Sequence, residues 1–200
     1  NSSWAWRIRG NALGFDKQTD ASRSANDMAI KTGKGDTLAY EQAANSYLFF
    51  EPKNFEKAQV YMELAIDLHP TNSSLYIALG DVFRAKNNLN EAQQNYQIAS
   101  TLLPQNSVAL TKQGHANTFL GNYNTARENY HAALTVGDKD YSMGLGIFHA
   151  YTYLYEGKPK DAIKDMQKWI KRVEKSEMQE YAKLDAKLQA FNDIAMSALK

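Results

Sequence analysis

Apolar and aromatic residues along this chain recur at intervals of three and four within blocks separated by short polar breaks, the signature of successive amphipathic helices. The pattern is clearest between residues 73 and 106, where Tyr76, Leu79 and Phe83 fall on one helical face and Ala92, Tyr96 and Ala99 on another. Gly80 lies inside the first of these helices, where glycine costs about 1 kcal/mol relative to alanine. That cost predicts close approach of a second helix at Gly80, with Ala92 and Ala99 as its small residues and Tyr96 filling the space between them. Asn88 followed by Glu91 predicts a capping box at the start of the second helix, and Pro104 stops it. One such hairpin cannot bury both of its faces, so neighbouring hairpins must stack on it.

The neighbours are visible in the spacing. Ala58, Ala92 and Ala126 are 34 residues apart, and so are Gly80 and Gly114. The run Tyr76-x2-Leu79-Gly80-x2-Phe83, Ala92, Tyr96, Ala99, Pro104 resembles the tetratricopeptide repeat (TPR), W-x2-L-G-x2-Y…A-x3-F…P, with an aromatic residue in the first slot. The resemblance implies an all-α, right-handed superhelical solenoid of five helix hairpins with a C-terminal capping helix, occupying the whole of residues 1–200 as one domain. The units it predicts are 3–31 (a degenerate repeat), 38–71, 73–106, 107–140, 141–175 (a repeat-like hairpin) and 176–199 (the capping helix).

Departures are local. In the first unit Trp6, Gly10 and Leu13 match, Arg9 does not, and Ser22 stands where alanine is preferred. In the second, Asn45 and Ser46 fall in the Leu-Gly slots and Phe49 in the tyrosine slot, while Ala58, Met62, Ala65 and Pro70 fit the second helix. Gln113 and Asn117 depart in the fourth. The fifth carries a two-residue insertion, with Ala150 in the glycine slot and Ala162 in the alanine slot. Over 176–199, Tyr181, Leu184, Leu188, Phe191 and Ile194 form one apolar face behind a Ser176/Gln179 capping box. The alternative reading of that helix, a coiled-coil homodimer, would need more heptads than the stripe supplies.

Composition narrows the chemistry. A formal charge of +1 argues against binding nucleic acid by bulk electrostatics, and no apolar run is long enough to span a membrane. With no cysteine, disulfides, thiolate zinc sites and thiol catalysis are all excluded. Asn rather than Met at position 1, with the absence of cysteine, tilts the expectation towards an exported bacterial protein, with the cytoplasm otherwise. Thr32-Gly33-Lys34-Gly35-Asp36-Thr37 has neither the spacing nor the strand context of a phosphate loop and reads as a turn. His69, His115, His131 and His149 show no paired metal-ligand spacing. Gly137-Asp138-Lys139-Asp140 lacks a calcium ligand set. No nucleophile–base constellation stands out, so neither an enzymatic activity nor a cofactor is expected. The lysines between Lys158 and Lys175 are offset by Asp161, Asp165 and Glu174 and read as a solvated face.

In the TPR family the first helix of each hairpin lines the inner surface, chiefly through its second, fifth, ninth, twelfth and thirteenth positions. Carried over by resemblance, the partner-binding residues are Trp4, Arg7, Tyr40, Tyr47, Phe50, Ile77, Asp81, Arg84, His115, Phe119, Tyr151 and Tyr155, with Asn11 and Phe15 in the first unit. The Lys and Asn of the family's carboxylate clamp are missing from the second and third units, where the carried-over register has Ala43 and Tyr47, then Ile77 and Asp81. The resemblance therefore implies a protein–protein interaction module with an aromatic-lined groove for a peptide or helix. A small-ligand or glycan site, where rings stack on a sugar face, is the alternative, and a segment of a larger scaffold is another.

Overall fold

The computed structural model describes residues 2–137 and 142–173, together with 190, 191, 193, 194 and 197. Among the described residues the chain forms ten α-helices: α1 (Ser3–Phe15), α2 (Thr19–Thr32), α3 (Thr37–Phe49), α4 (Phe55–Leu68), α5 (Ser73–Ala85), α6 (Leu89–Leu102), α7 (Ser107–Phe119), α8 (Tyr123–Val136), α9 (Ser142–Tyr155) and α10 (Pro159–Val173). They group into two compact units, Asn1–Pro104 and Gln105–Lys200.

In the first unit the hairpins α1–α2, α3–α4 and α5–α6 follow one another, and the first helices α1, α3 and α5 also touch. Asn54 and Asn72 cap α4 and α5 with their side-chain oxygens, satisfying donors that a helix start leaves free. Asn88 does not form the predicted capping box: its side chain makes no capping bond to α6. The turn before α6 is instead set by Asn87, whose φ of 62° is left-handed.

Gly80 has the role its cost predicted. A Cβ built there would lie 2.4 Å from the ring of Tyr96, which is fully buried. Only a bare backbone lets α6 bring its tyrosine onto α5.

The second repeat differs from the expected register by two residues. α5 begins 36 residues after α3, whereas α6 begins 34 after α4, because the loop from Phe50 to Asn54 is two residues longer than its counterpart after α5. Aligning α3 on α5 puts Ala44, fully buried, in the glycine slot, Ala43 in the leucine slot, Tyr40 in the tryptophan slot and Tyr47 in the tyrosine slot. Asn45 and Ser46 therefore do not hold the Leu-Gly positions. The core here consists of Ala44, Tyr47, Leu48, Ala58 and Met62 with Leu79 and Val82 of the next hairpin.

The second unit holds α7–α8 and α9–α10, with α9 packed on both α8 and α7. Gly114 receives Tyr130 as Gly80 receives Tyr96, with a Cβ-to-ring distance of 2.6 Å. The last hairpin exchanges volumes between slots: Gly146 occupies the aromatic position of α9, and the Trp169 ring of α10 fills the space, 2.6 Å from where a Cβ would stand. Phe191 is buried against Ile147, Ala150, Ala162 and Met166. The capping helix expected over 176–199 otherwise lies outside the described residues, as do Asp138 to Asp140.

Candidate functional site

The structure divides the carried-over residues into four groups. Tyr47 belongs to the core at 9% exposure, stacked on Tyr61 with ring centroids 5.9 Å apart, and Tyr40 tilts against the same ring at 6.5 Å. This placement corrects their assignment to the inner slots, and its cause is the two-residue shift in α3.

A second group is held by its own repeat. Tyr96 donates its hydroxyl hydrogen to Asp81 Oδ1 at 2.8 Å, and Arg84 lies 3.8 Å from the same oxygen. Tyr130 and His115 share a hydrogen bond between the phenol oxygen and Nδ1 at 2.9 Å, and Phe148 meets the imidazole edge-on at 4.4 Å. Asp81 and His115 are both the ninth residue of a first helix, and in both cases the partner is the tyrosine 15 positions later. Burial pushes the Tyr130 phenol up to about 12, so it stays protonated as a donor or acceptor at any ordinary pH. Tyr151 is half-buried, edge-on to Phe191 at 5.0 Å, and Ile77 is half-buried on α5.

The third group faces solvent. Trp4, Phe119 and Tyr155 are 63%, 66% and 60% exposed. Phe119 and Tyr155 are the last residues of α7 and α9. In the first unit the equivalent ends of α1 and α3 are Phe15 and Phe49, 87% and 64% exposed. The shifted register moves Phe49 from the expected tyrosine slot to the thirteenth position of α3.

Arg7 and Phe50, the fourth group, help to line a cleft between α1 and α3 with a volume of about 290 Å³. Its floor carries Arg7, Asn11, Glu41 and Asn45, with Asn26 behind them and Leu38 and Phe49 at the edges. In the true register, Leu38, Glu41, Asn45 and Phe49 are the second, fifth, ninth and thirteenth residues of α3. By the resemblance, these positions of α3 are the inner slots, in place of Tyr40 and Tyr47.

What frees this floor is the absence of a tyrosine partner. The positions equivalent to Tyr96 and Tyr130 are Asn26 in the first repeat and Met62 in the second. Asn11 and Asn45, the ninth residues of α1 and α3, accordingly make no side-chain hydrogen bond among the described residues. Arg7 is engaged, forming an ion pair with Asp36 at 3.2 Å, and Asp36 also accepts from Ser3 Oγ at 2.5 Å.

Glu41 is half-buried, and burial raises its carboxyl above the ordinary value, with Arg7 opposing and Asp36 adding to the rise. The native state therefore holds this proton to a higher pH than the unfolded chain does, so stability falls as pH rises through that interval. Glu41→Gln is expected to remove this component and to be at least as stable as the parent at pH 7. Urea titrations of both proteins between pH 4 and 7 would show the two curves diverging as pH rises.

A separate depression of about 450 Å³ is lined by Asp20, Arg23, Tyr47, Lys53 and Lys57. Its centre is structural: Arg23 Nη2 donates to the carbonyls of Ser46, Phe50 and Pro52. Among the described residues no cluster of three or more His, Asp or Glu could hold a metal ion, and no helix is long and apolar enough to cross a membrane.

Stacked helical hairpins with a free polar cleft on their first-helix side define a repeat protein of the all-α class. No family model and no curated protein sequence matches the chain. Solved structures do. MamA superposes with a TM-score of 0.73 at 17% identity, over 89% of this chain and 95% of that one. TTC0263, a thermophilic TPR protein of Thermus thermophilus, covers 99% of both chains with a TM-score of 0.62 and 19% identity. YrrB, a TPR protein with an unusual peptide-binding site, matches at 0.64 and 20% identity over 83% of this chain and 84% of its own. The chain therefore has the tetratricopeptide-repeat fold of these structures.

Proposed function

We propose that the chain is a non-catalytic protein-interaction module that holds an extended peptide of a partner along the first helices of its first unit, with the α1–α3 cleft as the principal seat. The observation that carries this reading is the pair Asn11 and Asn45, ninth residues of successive first helices, whose amides have no internal partner among the described residues. A side-chain amide offers both a donor and an acceptor, which matches the alternating N–H and C=O groups of an extended main chain. Phe15 and Phe49 at one edge of this face, and Trp4 and Leu38 at the other, offer apolar surface to the peptide's side chains. The second unit, taken by itself, carries Phe119 and Tyr155 as exposed aromatic residues of the kind that dominate binding hot spots. Support by likeness comes from YrrB and from the first TPR of Spaghetti (RPAP3) bound to an HSP90 peptide, which matches 60% of this chain at a TM-score of 0.53 and 19% identity.

The test is a selection of random dodecapeptides by phage display, followed by fluorescence anisotropy of the selected peptides on three proteins. Relative to wild type, Asn11→Ala/Asn45→Ala and Phe15→Ser/Phe49→Ser should each bind about tenfold or more weakly, equivalent to about 1.4 kcal/mol. Their circular dichroism and melting should stay close to wild type, because all four side chains are exposed. Undiminished affinity in both variants would remove the cleft as the binding seat.

A further inference from the structure

The α1–α3 cleft holds a carboxylate whose neighbouring cation is paired elsewhere, and this bears on which peptide fits, given the reading of the cleft as a peptide seat. The charged residues lining the cleft are one cation, Arg7, and one carboxylate, Glu41. Asp36 answers Arg7 and is further held by Ser3. Glu41 makes no ion pair or hydrogen bond among the described residues, although it lines the cleft and is half-buried. A carboxylate withdrawn from water without a partner is unfavourable, and a donor arriving with a ligand would relieve it.

A second group lacks a partner in the same place. Asn26 is 1% exposed, its Oδ1 accepts from Gln42 Nε2 at 3.0 Å, and its Nδ2 has no acceptor. Gln42 Nε2 also donates to the Arg7 carbonyl, so the glutamine presents its NH2 to Asn26. That fixes which way the Asn26 amide points: oxygen to Gln42, nitrogen unpaired at the cleft wall. The wall thus offers a buried donor for a carbonyl, and the floor an acceptor for a cation or N–H.

The apolar surroundings refine the choice. Leu38, Glu41, Asn45 and Phe49 lie at i, i+3, i+7 and i+11 on α3, so one helical face puts the acid between a leucine and a phenylalanine that are both exposed. Long basic side chains suit such a setting, with an aliphatic stem on apolar surface and a charged head beyond it. A peptide carboxylate would meet Glu41 as a like charge.

We infer that the α1–α3 cleft selects peptides carrying a lysine or arginine, whose charged head pairs with Glu41 while a main-chain carbonyl of the same segment accepts from Asn26 Nδ2. The selected peptides supply the probe. Each basic residue of the tightest binder is replaced in turn by Gln and by Glu, and affinities are measured on wild type, Glu41→Gln and Glu41→Lys. At one position the Gln peptide should bind wild type about ten- to a hundredfold more weakly, the worth of a hydrogen-bonded charge. Glu41→Gln should be nearly indifferent to that change, and Glu41→Lys should prefer the peptide with Glu there. If peptides bind through Asn11 and Asn45 but no basic position behaves in this way, the charge selectivity is wrong while the peptide seat stands. If no selected peptide depends on Asn11 and Asn45, both readings fall. Matching circular dichroism spectra of the Glu41 variants ensure that the comparison concerns the cleft.

Discussion

Tyr96→Ala is expected to destabilise the first unit by about 3–5 kcal/mol, the range for truncating a fully buried aromatic. Its ring fills the space above Gly80, and its hydroxyl bonds Asp81 at 2.8 Å. Burial and the Asp81 carboxylate raise the phenol's pKa, so the bond keeps its proton over the whole accessible pH range. The informative part is the coupling to Gly80. In the parent, Gly80→Ala should cost about 1–3 kcal/mol through overpacking, although alanine is the better helix former by about 1 kcal/mol. The three atoms nearest the added Cβ all belong to Tyr96. With Tyr96 truncated, the same Gly80→Ala change should reverse sign and stabilise. A double-mutant cycle by urea denaturation, with hydrogen exchange of α5 and α6 amides, reads that reversal. A cost for Gly80→Ala of the same sign and size in both backgrounds would mean that the glycine serves something other than the tyrosine.

Arg23→Ala is the second large effect, at about 2–4 kcal/mol from a charged hydrogen-bond cluster and a cation–π contact. The Arg23 guanidinium lies 4.3 Å from the Tyr47 ring centroid and gathers three carbonyls at the end of α3 and in the loop that follows. The last turn of a helix leaves its carbonyls without partners, and here a residue of the preceding hairpin supplies the donors. The long loop after α3 depends on this anchor. Arg23→Lys should recover little, because an ammonium cannot both stack flat on a ring and fork to several oxygens. Thermal denaturation and limited proteolysis at 50–54 would show the loss. A fully rescued lysine variant would mean that charge alone, without the planar fork, holds the loop.

Much of the fold was legible because its determinants are local. Gly80 and Gly114 announce close helix contacts, Tyr96 and Tyr130 fill them, and Ala58, Ala92 and Ala126 carry the period from hairpin to hairpin. The site was less legible, for two physical reasons. Counting back 34 residues from the third repeat assumes that every turn has one length, and the loop at Phe50–Asn54 has two residues more. A count of 34 therefore puts Tyr40 and Tyr47 in the inner slots, where the register of α3 has Leu38, Glu41, Asn45 and Phe49. The Tyr40, Ala43, Ala44, Tyr47 run, itself a match to the aromatic-x2-small-small-x2-aromatic spacing of the repeat, was the available signal. The second reason is that an inner-slot residue can serve its own repeat. Asp81 and His115 occupy such slots, yet each is engaged by the tyrosine of its own hairpin.

The stacked helical hairpins follow from the chain's local pattern, in which glycine and alanine positions at helical spacing leave room for the aromatic rings that fill them. The sequence also rules out thiol chemistry, having no cysteine. Which polar residues stay unpaired was settled by folding alone. Whether Asn11, Asn45 and Glu41 are spent internally depends on what faces them from the second helix, and that pairing exists only once the hairpins have closed.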